Sequence, residues 1–206
     1  MHKRRHTLEA FAAFLVLGVI YALVSESFTI GPPWLLLVLG LVGTAVMAIL
    51  YYRGLLRARR VVAMVLTAIV TAAVALSAIL VLQALLTGRA DAGDLLVSAA
   101  LLWVSNILVF ALWYWELDAG GPHHRHIGPV VSTDFLFPQM VAGGEHIVNW
   151  VPEFLDYLFL AFNSSTAFSP TDTMVLARRA KVLMMLQAMI SLVTVAVIVG
   201  RAINTL

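Results

Sequence analysis

Five long runs of apolar residues dominate this chain of 206 residues. They cover residues 8–24, 34–50, 61–86, 95–115 and 174–203, and a helix needs roughly 20 residues to cross about 30 Å of hydrocarbon. The composition agrees, because 62% of the residues are hydrophobic and 12% are charged, against about 45–50% and about 25% in soluble domains. The runs predict an all-α membrane protein with five long transmembrane helices.

A shorter apolar segment, residues 152–162, precedes the last run and is too short to cross a bilayer. A polar elbow follows it at 163–173, and non-helical backbone at bilayer depth is tolerated only beside protein or a water-filled cavity. The pattern predicts a short pore-like or re-entrant helix before the last transmembrane helix. It also divides the chain into an N-terminal three-helix membrane segment, 1–93, and a pore-module-like segment, 94–206. The second segment contains an outer helix, the 118–151 loop, the short helix, the elbow and the long final helix.

The basic residues predict the topology. If the chain crosses the membrane five times, eleven of the basic residues fall on one side and two, Arg89 and Arg201, on the other. The positive-inside rule then predicts a cytoplasmic N-terminus and a cytoplasmic 118–151 loop. If the short helix instead crosses fully, from about residue 147, the bias falls to nine against four, which is weaker but still allowed.

Several classes of chemistry are excluded or disfavoured by composition. The chain has no cysteine, so a disulfide, a thiolate nucleophile and a cysteine-bound zinc site are impossible. The formal charge of +2 reflects membrane orientation and leaves no basic face free for nucleic acid. No Ser-His-Asp pattern or phosphate-binding glycine loop is present. We therefore expect no enzyme activity, no catalytic residue and no cofactor.

The polar elbow carries most of the candidate functional residues. Carbonyl and hydroxyl oxygens that converge in a water-filled cavity can replace the hydration shell of a cation. Residues 169–172 also match a helix-start signature, with a capping serine, proline at the first helical position and an acid three residues after the cap. Capping and lining are compatible roles. The candidate ion-pathway residues are Asp156, Asn163, Ser164, Ser165, Thr166, Ser169 and Asp172.

Two acids on the short helix have different expected roles. Glu153 follows Pro152 in the first turn, where a negative charge complements the helix dipole. Asp156 lies one turn deeper, and acids near bilayer depth are candidates for functional sites. We expect Asp156 in the site or in a buried ion pair with a basic residue from 178–181.

Three histidines in the 118–151 loop, His123, His124 and His126, are weak candidates for metal ligands. Their spacing can serve zinc or copper, and Glu145 and His146 could complete such a set. A solvated loop rich in histidine needs no metal, however, and this is the favoured interpretation.

Four motifs give the chain a recognisable pattern. They are WYWELDAGGP at 113–122, DFLFPQ at 134–139, DYL at 156–158 and AFSPTD at 167–172. Together they resemble a family of small bacterial integral membrane proteins of unknown function, and the resemblance extends over the whole chain. It implies a multi-pass protein of the bacterial plasma membrane and no particular activity.

Residues 95–206 also resemble the pore module of tetrameric cation channels, in which an outer helix, a pore helix, a filter and an inner helix follow one another. Thr166 and Asp172 correspond to the first threonine and the final acid of the filter. Its two glycines fall on Ser169 and Thr171, although glycine suits backbone whose torsions turn positive. The resemblance implies an oligomeric, channel-like protein and argues against a potassium-selective carbonyl ladder.

The residues thus favour a channel-like membrane protein that conducts or binds ions at the elbow. The alternative is a non-conducting membrane scaffold or partner subunit, whose elbow is a capped hairpin and whose 118–151 loop binds another protein. Expected partners are the lipid bilayer, ions and further copies of the chain, with no nucleic acid. One chain has too few helices to enclose a wide pore and shield a polar elbow from lipid. The two hypotheses differ in whether the elbow faces water or packed side chains.

Overall fold

The computed structural model describes residues 2–88, 90–125, 133–141, 150–170 and 172–204. In chain order the helices are α1 (His2–Ala22), α2 (Leu35–Tyr52), α3 (Leu56–Thr87), α4 (Ala92–Leu117), α5 (Pro122–Arg125), α6 (Pro138–Val141), α7 (Phe154–Thr166) and α8 (Arg178–Asn204). Short 3₁₀ turns lie at Glu26–Phe28 and Asp118–Gly120, and the strands are β1 (Phe135–Leu136) and β2 (Met174–Val175).

Four of these helices, α2, α3, α4 and α8, are long and apolar enough to cross a membrane. The sequence predicted five such helices. The fifth predicted span, residues 8–24, falls on α1, where the described residues include a shorter apolar stretch, Phe11–Ala22, so a count of five is not confirmed.

Helix α4 forms the centre of the bundle and packs against α1, α3, α7 and α8. Its apolar side chains, including Leu102, Phe110 and Leu112, are fully buried. By contrast, α2, α3 and α8 expose many Val, Leu, Ile and Met side chains, as helices do when their outer surface faces lipid. Small residues bring α1 and α2 close together, because a Cβ added to Gly18 would lie 2.8 Å from Leu37 Cα.

One end of the bundle carries most of the described basic side chains, and we call it the basic end. Here α4 ends while α3 and α8 begin, and the buried pair Arg59–Glu116, with an N–O distance of 3.1 Å, joins α3 to α4. At the opposite end the Ser25 N–H donates to Ser98 Oγ at 3.3 Å, which places the end of α1 beside the start of α4. Most of the described basic side chains of α3, α5 and α8 are thus grouped at one end of the bundle.

The 118–151 connection packs against the basic end over the part that the structure describes. Phe135 and Asp134 are buried, and β1 pairs antiparallel with β2, with Phe135 opposite Val175. The connection is therefore packed in part over 118–125 and 133–141, while His123 and His124 are exposed, as expected for a solvated histidine-rich tract. Residues 126–132 and 142–149 lie outside the described residues.

The last helix begins at Arg178 and not at Pro170. The helix-start signature at 169–172 is misleading because the residues after it form β2, and the Leu176 N–H then donates to the Asp134 carbonyl at 2.9 Å. Pairing with a distant segment satisfies backbone groups that a helix would otherwise use. The predicted cap of Ser169 involves Thr171, which is not among the described residues.

Candidate functional site

Helix α7 has 13 residues and so is about 20 Å long at 1.5 Å per residue. It begins with a capping box, in which the Glu153 side chain accepts from the Asp156 N–H and the Glu153 N–H donates to Asp156 Oδ2 at 2.7 Å. This reciprocal pair satisfies two backbone donors that a helix N-terminus otherwise leaves without partners. Both acids therefore cap the start of α7.

The first turn of α7 is fixed to the end of α4. The Tyr157 hydroxyl donates to Asp118 Oδ2 at 2.5 Å, and both residues are fully buried. The other carboxylate oxygen of Asp118 accepts from the Asp134 N–H at 2.7 Å and from Thr133 Oγ1 at 2.8 Å. One buried carboxylate therefore joins the end of α4, the 118–151 connection and α7.

Arg125 lies beside this carboxylate and is also buried. Its guanidinium carbon is 4.5 Å from the centre of the Trp115 ring and 5.0 Å from that of Tyr157. Its Nη1 donates to the carbonyls of Trp115 and Asp118, each at 2.8 Å. The guanidinium is therefore held by two backbone carbonyls, and stacking on aromatic faces suits a weakly hydrated cation.

The other end of α7 is held by Gln187 of α8. Gln187 Nε2 donates to the Ala161 carbonyl at 2.7 Å and to Ser165 Oγ at 2.8 Å, while the Tyr114 hydroxyl donates to Gln187 Oε1. Ser191 Oγ donates to the Ser165 carbonyl at 2.6 Å. The last turn of α7 is thus hydrogen-bonded to α8 and α4 in the interior.

These contacts place the end of α7 near the middle of the bundle. Gln187 and Ser191 lie about 14 and 20 Å along α8 from its start at 1.5 Å per residue. Trp103 of α4 donates to Ser191 Oγ at 3.1 Å, well away from the basic end. The segment after α7 then returns to β2 and to the start of α8 at the basic end. Over the described residues, the start of α7, β2 and the start of α8 therefore all lie at the basic end.

The predicted ion-pathway residues of the elbow differ in their exposure. Ser164 and Ser165 are buried, whereas Thr166, Ser169 and Asp172 are exposed and Asn163 is half-buried. Three of the side chains donate to carbonyls of their own helix: Asn163 to Phe159 at 2.9 Å, Ser164 to Leu160 at 2.8 Å and Thr166 to Phe162 at 2.9 Å. Part of the elbow therefore faces packed side chains, and part lies on the surface of the chain.

The carboxylate of Asp156 takes part in the capping box at the start of α7, at the other end of the helix from the elbow. Asp156 lies in the first turn of α7, and among the described salt bridges none joins it to residues 178–181. Burial raises the pKa of the Asp156 carboxyl, and the hydrogen bond from the Glu153 backbone opposes that shift. Asp172 lies on the returning segment just before β2. The elbow itself thus offers amide, hydroxyl and carbonyl groups and no carboxylate from Asp156.

A cavity of about 310 Å³ lies beside the elbow, lined among others by Ser164, Phe168, Ser169 and Lys181. Phe168 has a φ of 53°, a left-handed conformation that is rare for a bulky side chain. This strain marks the point where the chain turns back from the end of α7.

The histidine candidates gain no support as a metal site. His123 and His124 are exposed on α5, and His126 lies outside the described residues. Within the described ranges no group of three His, Asp or Glu side chains could hold a metal ion.

The residues with the most contacts at this site were not predicted from the sequence. Asp118 and Tyr157 are hydrogen-bonded to each other at the basic end of α7, and Arg125 packs on the Tyr157 ring there. Gln187 is hydrogen-bonded to the far end of the helix. A signal for Gln187 existed, since it is an amide inside an apolar run, and polar residues inside such runs are costly unless they have partners. Asp118 and Tyr157 lay within motifs noticed for their pattern alone.

The long apolar helices α2, α3, α4 and α8 are compatible with an integral membrane protein. No protein-family model matches the chain. No match was found among curated proteins or among solved structures.

Proposed function

We propose that this chain is a subunit of an oligomeric, channel-like membrane protein in which the elbows of several copies together bind or conduct ions. The observation that carries the proposal is the half-length helix α7. It begins at the basic end, stops near the middle of the bundle and leaves Thr166 and Ser169 exposed there. Polar groups at such a depth need protein or water beside them, and a second elbow with a hydrated space between the two provides both.

The dipole of α7 supports a preference for cations. The C-terminal end of a helix carries about half a negative charge and carbonyl groups without helical partners. In α7 this end is the elbow. Hydroxyl and carbonyl oxygens from several copies are the ligands that replace water around a cation, so the proposed ion is a cation.

An apolar surface for contact between copies runs along α7. Leu155, Phe159 and Phe162 are exposed and lie on one face of the helix at spacings of four and three residues. On α8, Met185 and Met189 are exposed in the same way. Copies that bury these faces would bring their elbows together, and the resemblance of residues 95–206 to a channel pore module agrees with that arrangement.

The non-conducting scaffold stays the second candidate, because a specific observation favours it. Ser164 and Ser165 are buried, and Ser165 is bound by Gln187 and Ser191 within one chain. If the exposed elbow groups meet only lipid headgroups or another protein, the same network serves purely as a structural joint.

Proximity of the elbows can be tested directly, because the chain contains no cysteine. Thr166→Cys should form cross-linked oligomers with a short bis-thiol reagent in membranes. Thr44→Cys is the matched control, since the Thr44 hydroxyl also donates to a carbonyl of its own helix, at 3.0 Å, near the middle of α2. It should stay monomeric on a denaturing gel.

Ion flux through liposomes tests whether the elbows conduct a cation. Purified protein in liposomes should pass a cation, and Thr166→Val should change that flux while Thr44→Val leaves it unaltered. If wild-type flux equals that of empty liposomes for potassium, sodium, protons and chloride, and Thr166→Cys fails to cross-link, the scaffold is the better explanation.

A further inference from the structure

A cavity of about 440 Å³ lies at the basic end, between the start of α3, the turn that follows α4 and the start of α8. Four arginines and two histidines line it: Arg57, Arg59, Arg60, Arg179, His123 and His124. No acidic side chain is among its lining residues. The cavity is therefore a concentrated positive site beside the ends of the membrane-spanning helices.

Two of these arginines form no direct ion pair with a carboxylate among the described residues, although Glu116 and Asp134 act on Arg60 from a greater distance. Arg59 pairs with Glu116 at 3.1 Å and Arg179 pairs with Asp134 at 2.6 Å. Within the described ranges, no salt bridge joins a carboxylate to Arg57 or Arg60. The Nε of Arg60 is moreover buried without a hydrogen-bond partner. A buried donor without a partner is costly, and an anion in the cavity would supply the acceptor.

The turn after α4 is shaped to admit the Arg60 side chain. Gly121 has a φ of 100°, and a Cβ built there would lie 3.4 Å from Arg60 Nε and 3.2 Å from the Glu116 carbonyl oxygen. Glycine therefore does two things at this position. It adopts the positive φ without strain, and it leaves room for the guanidinium against the backbone.

The other wall of the cavity is apolar and continues out of it. Leu56, Val61, Met64 and Leu117 are among its lining residues. Val61 is exposed, and so are Val65 and Ile69, which follow at four-residue spacing on the same face of α3. A basic pocket thus opens onto an apolar stripe that runs about 12 Å along a membrane-spanning helix.

We propose that this cavity binds a phosphate group, and that the phosphate belongs to an anionic phospholipid. Arg57 and Arg60 contact the phosphate oxygens, and an acyl chain lies along Val61, Val65 and Ile69. Guanidinium groups form strong, charge-assisted hydrogen bonds with phosphate. Basic pockets between helices at the membrane surface are suited to anionic headgroups, and the apolar stripe distinguishes a lipid from a soluble phosphate compound.

The test compares lipid binding by the full-length chain in detergent, measured by native mass spectrometry. Wild type should bind phosphatidylglycerol about tenfold more tightly than phosphatidylcholine, and Arg57→Gln/Arg60→Gln should remove that preference. Arg53→Gln is the control, because Arg53 is an exposed arginine at the end of α2 that does not line the cavity. It should retain the preference.

A second measurement separates the two sources of phosphate. In phosphatidylcholine micelles, inorganic phosphate should leave the thermal unfolding of wild type unchanged if the ligand is a lipid. Stabilisation of wild type and not of the double variant, without a preference between the lipids, would retain the phosphate site and overturn the lipid as its source.

Two outcomes overturn the site itself. One is equal binding of the two lipids by wild type together with no effect of inorganic phosphate, and the other is a lipid preference that survives in the double variant. If the double variant does not fold, Arg57→Gln replaces it. The Arg57 side chain is exposed, so its loss should not affect folding and should weaken the preference about threefold.

Discussion

The Tyr157 hydroxyl donates to Asp118 Oδ2 at 2.5 Å, and neither side chain is accessible to solvent. The bond joins the first turn of the half-length helix α7 to the turn that ends the central helix α4. Because Asp118 also accepts from the Asp134 N–H, the position of α7 depends on a carboxylate shared with the 118–151 connection. The start of the candidate site is therefore set by a buried polar contact rather than by apolar packing alone.

Loss of the Tyr157 hydroxyl should lower the free energy of unfolding more than loss of a buried tyrosine hydroxyl that is bonded to a neutral partner. Hydrogen bonds to charged groups contribute about 1.5–3 kcal/mol, against about 0.5–1.5 kcal/mol for neutral pairs. Tyr157→Phe should therefore lower the free energy of unfolding by about 2 kcal/mol. Tyr21→Phe, which removes a buried hydroxyl bonded to Ser77 Oγ at 2.8 Å, is the control and should cost less. Chemical unfolding in detergent measures both, and equal losses would contradict the assignment of Asp118 as an anion.

The amide of Gln187 should hold the far end of α7. Gln187→Leu keeps a side chain of similar size but leaves Ser165, the Ala161 carbonyl and Tyr114 without their partner. We expect a loss of about 1–3 kcal/mol for each buried group left unpaired and faster amide hydrogen exchange at 161–167. The exposed Gln83→Leu change is the control. If exchange at the elbow stays the same in Gln187→Leu, the network does not position α7.

The turn after α4 stores backbone strain at Ala119, whose φ is 48° and ψ is 30°. Ala119→Gly should raise the free energy of unfolding by about 0.5 kcal/mol, since relief of about 1–2 kcal/mol of strain exceeds the backbone freedom gained by the unfolded chain. Ala72→Gly lies in the interior of α3 on an exposed face and should lower stability by about 1 kcal/mol. Thermal unfolding of the two variants should move in opposite directions, and parallel shifts would be inconsistent with strain at Ala119.

The shared end of α7 and α8 can be tested with single cysteines. Gln139→Cys on α6 and Leu176→Cys on the returning segment are both exposed at the basic end, whereas Thr87→Cys is exposed at the other end. The positive-inside rule predicts that the basic end is cytoplasmic. An impermeant thiol reagent added to intact cells should label Thr87→Cys and spare the other two. Labelling of Leu176→Cys but not Gln139→Cys would show that α7 crosses completely.

Local sequence signals located the long helices because they depend on length and hydrophobicity alone. Helices α2, α3, α4 and α8 overlap four of the five predicted runs, and a short helix, α7, falls where a segment too short to span was expected. Its pore-like role remains a prediction. The helix-start signature at 169–172 failed because β2 pairs with β1, a contact between segments far apart in sequence.

Local sequence signals could not predict the polar contacts of the site, for a related reason. Asp156 was expected at the site because acids at bilayer depth are costly, but a capping box with Glu153 accounts for it locally. Asp118 and Gln187 each have hydrogen-bond partners on two other segments that lie far apart in sequence. No spacing rule along the chain reports such contacts, and only the packed arrangement of α4, α7 and α8 brings them together.

The hydrogen bonds at the end of α7 also impose an order on membrane insertion. Ribosomes complete α7 before α8, yet Ser165 and the Ala161 carbonyl find their partners, Gln187 and Ser191, only on α8. Polar groups without partners cost several kcal/mol each in hydrocarbon. The nascent half-length helix is therefore more stable in the hydrated headgroup region until α8 has crossed. If α7 inserts into the membrane as proposed, we therefore expect insertion order to be the reverse of synthesis order for the two helices, with α7 placed last.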